Sequence, residues 1–232
     1  MDAETEKMAR EFFGYGRWGA PYWFIGPEPA GDSHTQRSLA FRRLGKDGLC
    51  DCKEFHNGIG VDWSGELQKT WKRQILILEN FLGEDGKVEF PDKGNPAQTL
   101  LNYQWECWGS RDGNTCVIEL RGLNTKGNSE YRKICDAELG RRIEYIKEKL
   151  KTSEEKPKLV VMYGKTDQGR WEPIADHILA IDRPYDRPLM QDSTTYVFAY
   201  HPNARGHKGD YWLKDSYWED LGKRARRESN ER

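Results

Sequence analysis

Long apolar runs are missing from this chain. No stretch approaches the roughly 20 residues that a membrane-spanning helix needs, and mean hydropathy is -0.93. The segment Met1 to Arg10 alternates acids and bases where a secretory signal would carry an apolar block. A soluble cytoplasmic protein with no membrane partner is therefore expected, nucleoid-associated if bacterial. An excess of one charge is missing too: 37 Lys and Arg stand against 38 Asp and Glu, a formal net charge of -1. The whole chain thus lacks the basic footprint of a strong non-specific DNA binder. Cysteine is scarce and odd in number, with five in all, which argues for reduced thiols over a disulfide framework. Tryptophan is the abundance: nine in 232 residues. Some of these serve the core, and others offer surfaces on which unpaired bases stack. The length suits one α/β domain and leaves little chain for a second, so residues 1–232 are read as a single domain acting as a monomer.

Four short apolar segments each end in a loop: Tyr22 to Ile25 before Gly26-Pro27-Glu28-Pro29, Cys116 to Leu120 before Arg121-Gly122, Lys158 to Tyr163 before Gly164, and Tyr196 to Tyr200 before His201-Pro202. They read as buried strands. Between the second and third, Tyr131, Ile134, Cys135, Leu139, Ile143, Ile146 and Leu150 recur at helical steps, with Asn128 or Ser129 as N-cap. Leu67, Trp71, Ile75, Leu78 and Leu82 repeat the pattern, and Pro96 to Trp108 and Arg170 to Ala180 are read as shorter helices. This alternation predicts a single-domain, three-layer α/β/α fold with a central, mainly parallel, four-stranded sheet, whose ligand crevice lies outside the carboxyl ends of the strands. An enlarged insertion occupies about 32–114. Asp182 to Ser193 reads as a surface loop, and the basic tail at 222–232 as a frayed, solvated terminus.

A parallel sheet brings Glu28 and His201 to the same edge although they are far apart in sequence. Breaking an N-glycosidic bond builds positive charge on the sugar and negative charge on the departing base. A carboxylate and a hydrogen-bond donor stabilise these opposite ends of the transition state. Taken singly, a Glu between prolines is usually a loop acid and a His before Pro a strand-end cap; together and in this order they say more.

The series of strand then Gly26-Pro27-Glu28-Pro29, later Lys158-Leu159-Val160-Val161-Met162-Tyr163-Gly164-Lys165, then His201-Pro202-Asn203 resembles the uracil-DNA glycosylase superfamily over roughly Tyr22 to Gly206. That resemblance implies a monofunctional DNA N-glycosylase that flips its target base into a pocket before cutting. Glu28 would orient the water and His201 would stabilise the leaving base. Gly26 and Pro29 of the first loop, with Asn124, would contact the substrate, and Asn203, Arg205 and the residues to Lys208 would grip the opened duplex. Phe41 takes the place of the stacking aromatic. Members that read uracil carry an Asn early on the second strand, where this chain has Thr115 or Cys116, with Asn124 following. Glu119 could instead accept a hydrogen bond from a cytosine-type amine. The insertion, with Cys50, Cys52, Glu54, His56, Asp62 and Trp63, reads either as a structural insertion or as a pocket enlarged for a modified cytosine such as occurs in phage DNA.

Other motifs are set aside. Gly14-x-Gly16-x-x-Gly19 precedes the first predicted strand, where a dinucleotide-binding turn must follow one. Cys50, Cys52 and His56 lack a second ligand pair at zinc spacing, and an iron-sulfur cluster needs four suitably spaced cysteines. No metal and no cofactor is expected. The reading is a glycosylase that leaves an abasic site, in base-excision repair or antiviral defence, with DNA as partner. Its rivals are a non-catalytic relative that binds DNA or abasic sites, and a different α/β hydrolase or nucleotide-binding enzyme that shares only the architecture.

Overall fold

The computed structural model describes residues 2–29, 31, 34–61, 65–83, 95–153, 155–164, 174, 187–203 and 214–231. Helix α1 (Ala3–Glu11) opens the chain because Asp2 accepts a hydrogen bond from the Thr5 amide at 2.8 Å, and it buries Met8 and Ala9. Strands β1 (Gly14–Gly16) and β2 (Tyr22–Gly26) follow, then α2 (His34–Leu44), β3 (Leu49–Cys50), α3 (Cys52–Gly58), α4 (Lys69–Leu82), α5 (Pro96–Glu106), β4 (Thr115–Glu119), α6 (Ser129–Thr152), β5 (Leu159–Tyr163), β6 (Leu189–Gln191), β7 (Thr194–Ala199) and α7 (Asp215–Asn230).

The fold is mixed α/β. Its sheet has seven strands in the order β3-β1-β4-β2-β5-β7-β6, where the sequence predicted four. The four predicted strands pair in parallel, β2 with both β4 and β5, and β5 with β7. Three short strands make the sheet mixed: β1 runs antiparallel to β4, β6 antiparallel to β7, and β3 parallel to β1. β6 lies within the segment read as a surface loop. β1 explains two glycines of the discarded fingerprint. A Cβ on Gly14 would lie 2.0 Å from the Val117 carbonyl oxygen and one on Gly16 2.2 Å from that of Thr115, so close strand approach, not phosphate binding, requires them.

Alternate residues of the parallel strands enter two separate apolar clusters, one on each face of the sheet. Tyr22, Phe24, Val117 and Val161 belong to the first, and Trp23, Ile25, Ile118 and Val160 to the second. Burial on both faces is why these strands read as unbroken apolar runs. Asn128 caps α6 by accepting from the Tyr131 amide at 3.0 Å. From α6, the fully buried Arg142 donates to the carbonyls of Arg10, Phe12, Glu119 and Leu120, joining α1 to the end of β4.

The basic tail is not frayed. Most of it continues α7, whose face of Trp218, Leu221, Gly222 and Ala225 is buried, and α7 packs along α4. Of the predicted helix at 170–180 only Ile174, which is buried, lies within the described residues. No helix among the described residues is long and apolar enough to cross a membrane.

Candidate active site

The carboxyl ends of β2, β4, β5 and β7 open onto a cavity of about 830 Å³. Glu28 follows β2 at its wall, Glu119 ends β4, Tyr163 ends β5 and His201 follows β7. The first two loops are tied together: the Leu120 amide donates to the Gly26 carbonyl at 2.8 Å and the Arg121 amide to that of Pro27 at 3.0 Å. Glu28 is aimed by a residue the sequence reading missed. One of its carboxylate oxygens, Oε2, accepts from the Thr125 hydroxyl at 2.6 Å and from the Thr125 amide at 3.2 Å.

Two histidines line the cavity, and their tautomers are opposite. The Asn203 amide, which can only donate, reaches His201 Nδ1 at 3.1 Å; the neutral ring therefore carries its proton on Nε2. His56 Nδ1 lies 2.8 Å from the Cys52 carbonyl, which can only accept, so Nδ1 carries the proton and Nε2 is an acceptor. Burial pushes the His56 pKa down to about 4 and keeps the ring neutral.

Glu119 sits on the cavity floor with 6% of its surface exposed. Burial first, and the neighbouring Glu28 charge second, push its carboxyl up to about 8, against the opposing pull of Arg37 and Arg142. Arg37 is itself buried and donates to the Tyr15 hydroxyl at 3.2 Å. The aromatic wall consists of Tyr15, Trp71 and Tyr163, with the His56 ring edge-on to Trp71 at 5.5 Å. Lys126 and Arg132 bring positive charge to the same lining, as does Arg121, which is paired with Asp136 at 3.0 Å.

Of the residues singled out from sequence, Glu28, Pro29, Glu119, Asn124, His201 and Asn203 share this lining. Asn124 is engaged in loop structure, donating to the Gly31 carbonyl at 3.2 Å and accepting from the Lys126 amide at 2.9 Å. Asn203 reaches across to Thr70 at 3.2 Å. Gly26 lies beneath Tyr163. Phe41 is not part of the cavity: it is buried in the first cluster, edge-on to Phe12 at 5.5 Å. Arg205, His207 and Lys208, like Asp62 and Trp63, lie outside the described residues. The insertion supplies Arg37, His56, Ile59, Val61, Gln68, Thr70 and Trp71 to the lining while also burying Phe41, Cys50, Cys52 and Phe55 in the core.

All five cysteines are unbridged. Burial raises the Cys52 thiol well above its ordinary range and that of Cys50 to about 12, which removes both as nucleophiles at neutral pH. Among the described residues, no group of three or more His, Cys, Asp or Glu side chains is arranged to hold a metal ion. Comparison with known protein families, curated proteins and solved structures returned no match. The site is therefore read on its own geometry: an oriented carboxylate and an imidazole N–H donor on the wall of one cavity.

Proposed function

We propose that this chain is a monofunctional DNA glycosylase, organised like the uracil-DNA glycosylase superfamily on a three-layer α/β/α frame. It hydrolyses the N-glycosidic bond of a flipped-out, non-canonical pyrimidine, either uracil or a modified cytosine, and leaves an abasic site. The observation that carries this reading is the pairing in one cavity of Glu28, fixed by two donors from Thr125, with His201, whose proton is fixed on Nε2 by the Asn203 amide.

The chemistry follows from those two states. As the bond to the base lengthens, Glu28 holds a water against the anomeric carbon and stabilises the positive charge that grows on the sugar. Its carboxylate takes a proton as the new C–O bond forms. The His201 Nε2–H faces the negative charge that develops on the leaving base. Lys126 and Arg132 suit contact with flanking phosphates, which supplies a local basic patch that the whole-chain charge does not. The volume favours a large base, since about 830 Å³ lies toward the upper end of the ~300–1,000 Å³ range of ligand pockets. Both repair of damaged DNA and defence against modified phage DNA fit such a site.

The test is release of free base from DNAs carrying uracil, 5-hydroxymethylcytosine, glucosylated 5-hydroxymethylcytosine or only normal bases. Wild type is compared with Glu28→Ala and His201→Ala. Excision from a uracil or modified-cytosine DNA, lost in both variants, supports the reading; tight DNA binding with no release, unaffected by Glu28→Ala, would replace it with a binding-only protein.

A further inference from the structure

At the end of β4, beside Gly26 in the sheet register, Glu119 presents a carboxyl group that the mechanism above does not use. It is more than nine-tenths buried, it lines the cavity, and its Oε2 has no hydrogen-bond partner among the described residues. Its backbone is fixed by Arg142 Nη2, which donates to the Glu119 carbonyl at 2.7 Å. A buried oxygen without a protein partner costs free energy, so a ligand edge that satisfies it is favoured.

The surrounding groups define what that edge is. Glu28, Arg37, Arg142, Tyr15, Tyr163 and Cys52 are the charged and titratable groups facing it. Burial keeps the two phenols and the thiol protonated and neutral. Glu28 is the second carboxylate of the cavity and the one that receives two hydrogen-bond donors, whereas the Glu119 carboxyl is buried with no partner on Oε2 among the described residues. Glu119 is the one that retains its proton at neutral pH, in keeping with a carboxyl pushed up to about 8. A protonated carboxyl has one donor and one acceptor oxygen side by side. That pair is complementary to a ring nitrogen lying next to an exocyclic amine.

We infer that Glu119 is the proton donor to the departing base, and that the base it fits is an aminopyrimidine of the cytosine type. This inference rests on the glycosylase reading and assigns its substrate class. Uracil departs as an anion spread over two carbonyls and needs only a donor such as His201. A cytosine-type base has one carbonyl and is a poorer leaving group unless its ring N3 is protonated. In the step proposed, the Glu119 carbonyl oxygen accepts from the exocyclic amine while its O–H proton passes to N3. The C1′–N1 bond breaks with its electron pair moving onto the ring, and the base leaves as a neutral molecule. Water forms the new bond to C1′ and gives a proton to Glu28. Glu119 regains a proton from solvent and Glu28 releases one, so one water is consumed and one neutral base is freed. An amide at this position has no proton to transfer, which distinguishes Glu119 from a purely base-reading side chain.

The experiment measures single-turnover base release between pH 5 and pH 10 from duplexes carrying uracil, 5-hydroxymethylcytosine or its glucosylated form, using wild type, Glu119→Gln and Glu119→Asp. For the cytosine-type base, the wild-type rate should fall as pH rises through about 8. Glu119→Gln should lose about 100-fold or more together with that alkaline limb, and Glu119→Asp, which keeps a transferable proton, should recover part of the rate and the limb. Release of uracil alone, or a Glu119→Gln enzyme that cuts the cytosine-type DNA at the wild-type rate or keeps the alkaline limb, overturns this inference and leaves the glycosylase standing. Release of no base from any duplex overturns both.

Discussion

Tyr163 closes over Gly26: a Cβ placed on that glycine would lie 2.0 Å from the phenol oxygen and 2.2 Å from Cζ. The last residue of one strand is thereby seated on the last residue of its neighbour, at the cavity's edge. Gly26→Ala must push the ring aside, and overpacking of this kind costs about 1–3 kcal/mol. Thermal unfolding of Gly26→Ala, Tyr163→Ala and the double variant should show a double-variant cost smaller than the sum of the single costs. Simple additivity would mean that the ring already has room to move.

Thr125 orients Glu28 from its place in the cavity lining. Thr125→Val removes the 2.6 Å hydroxyl donor and leaves the backbone amide as the remaining anchor. The rate of base release is expected to drop about 10- to 100-fold, as small misplacements of reacting groups do, while DNA affinity holds. Thr125→Ser, which keeps the hydroxyl, should restore most of the rate. Equal losses in binding and rate would place the effect in folding of the loop instead.

Glu119 makes stability depend on pH in a sense opposite to that of most carboxylates. Its folded pKa of about 8 lies above the ordinary value of 4.5. Between those values the folded chain holds a proton that the unfolded chain has lost, so stability falls as pH rises through that window. Glu119→Gln removes this dependence. The melting temperature of the variant relative to wild type should climb from pH 4.5 to pH 8 and then level off. A flat difference across the range would show that Glu119 is ionised in the fold.

His56 acts in the other direction. Its folded pKa of about 4 lies below the ordinary 6.5, so the fold loses stability as pH falls through that interval, where the unfolded ring gains a proton and the buried one does not. Nitrogen-15 NMR should report His56 neutral with its proton on Nδ1 down to about pH 4, and neutral His201 with its proton on Nε2. A shared tautomer for the two rings would contradict the opposite hydrogen bonds described for them.

Glu28 and His201 were legible in the sequence because each follows a short apolar run, and parallel strands must end at a common edge. Glu119 was legible for the same reason, although its proton was not: burial and the nearness of Glu28 belong to the folded chain. Tyr163 ends a run that reads only as a buried strand, which does not reveal its place in the lining, while Thr125 acquires meaning only from the loop that folds back to Glu28. Phe41 was misplaced because distance along the chain says nothing about which side of α2 faces the cavity. β1, β3 and β6 have three, two and three residues, too few for a period to register. Helix α2 hid for another reason, since it buries Arg37 and Ser38 along with Ala40 and Phe41 and so lacks a clean apolar stripe.

The placement of β2 has a consequence for biogenesis. It lies between β4 and β5 in the sheet, yet it precedes both in the chain: Tyr22 pairs with Thr115 and Leu159. During synthesis this fully buried strand emerges early and stays unpaired until these distant partners arrive. Such non-local closure slows folding and leaves a sticky edge exposed in the interim. Yield in the cell should therefore depend on chaperone capacity and growth temperature more steeply than the stability of the finished fold would suggest.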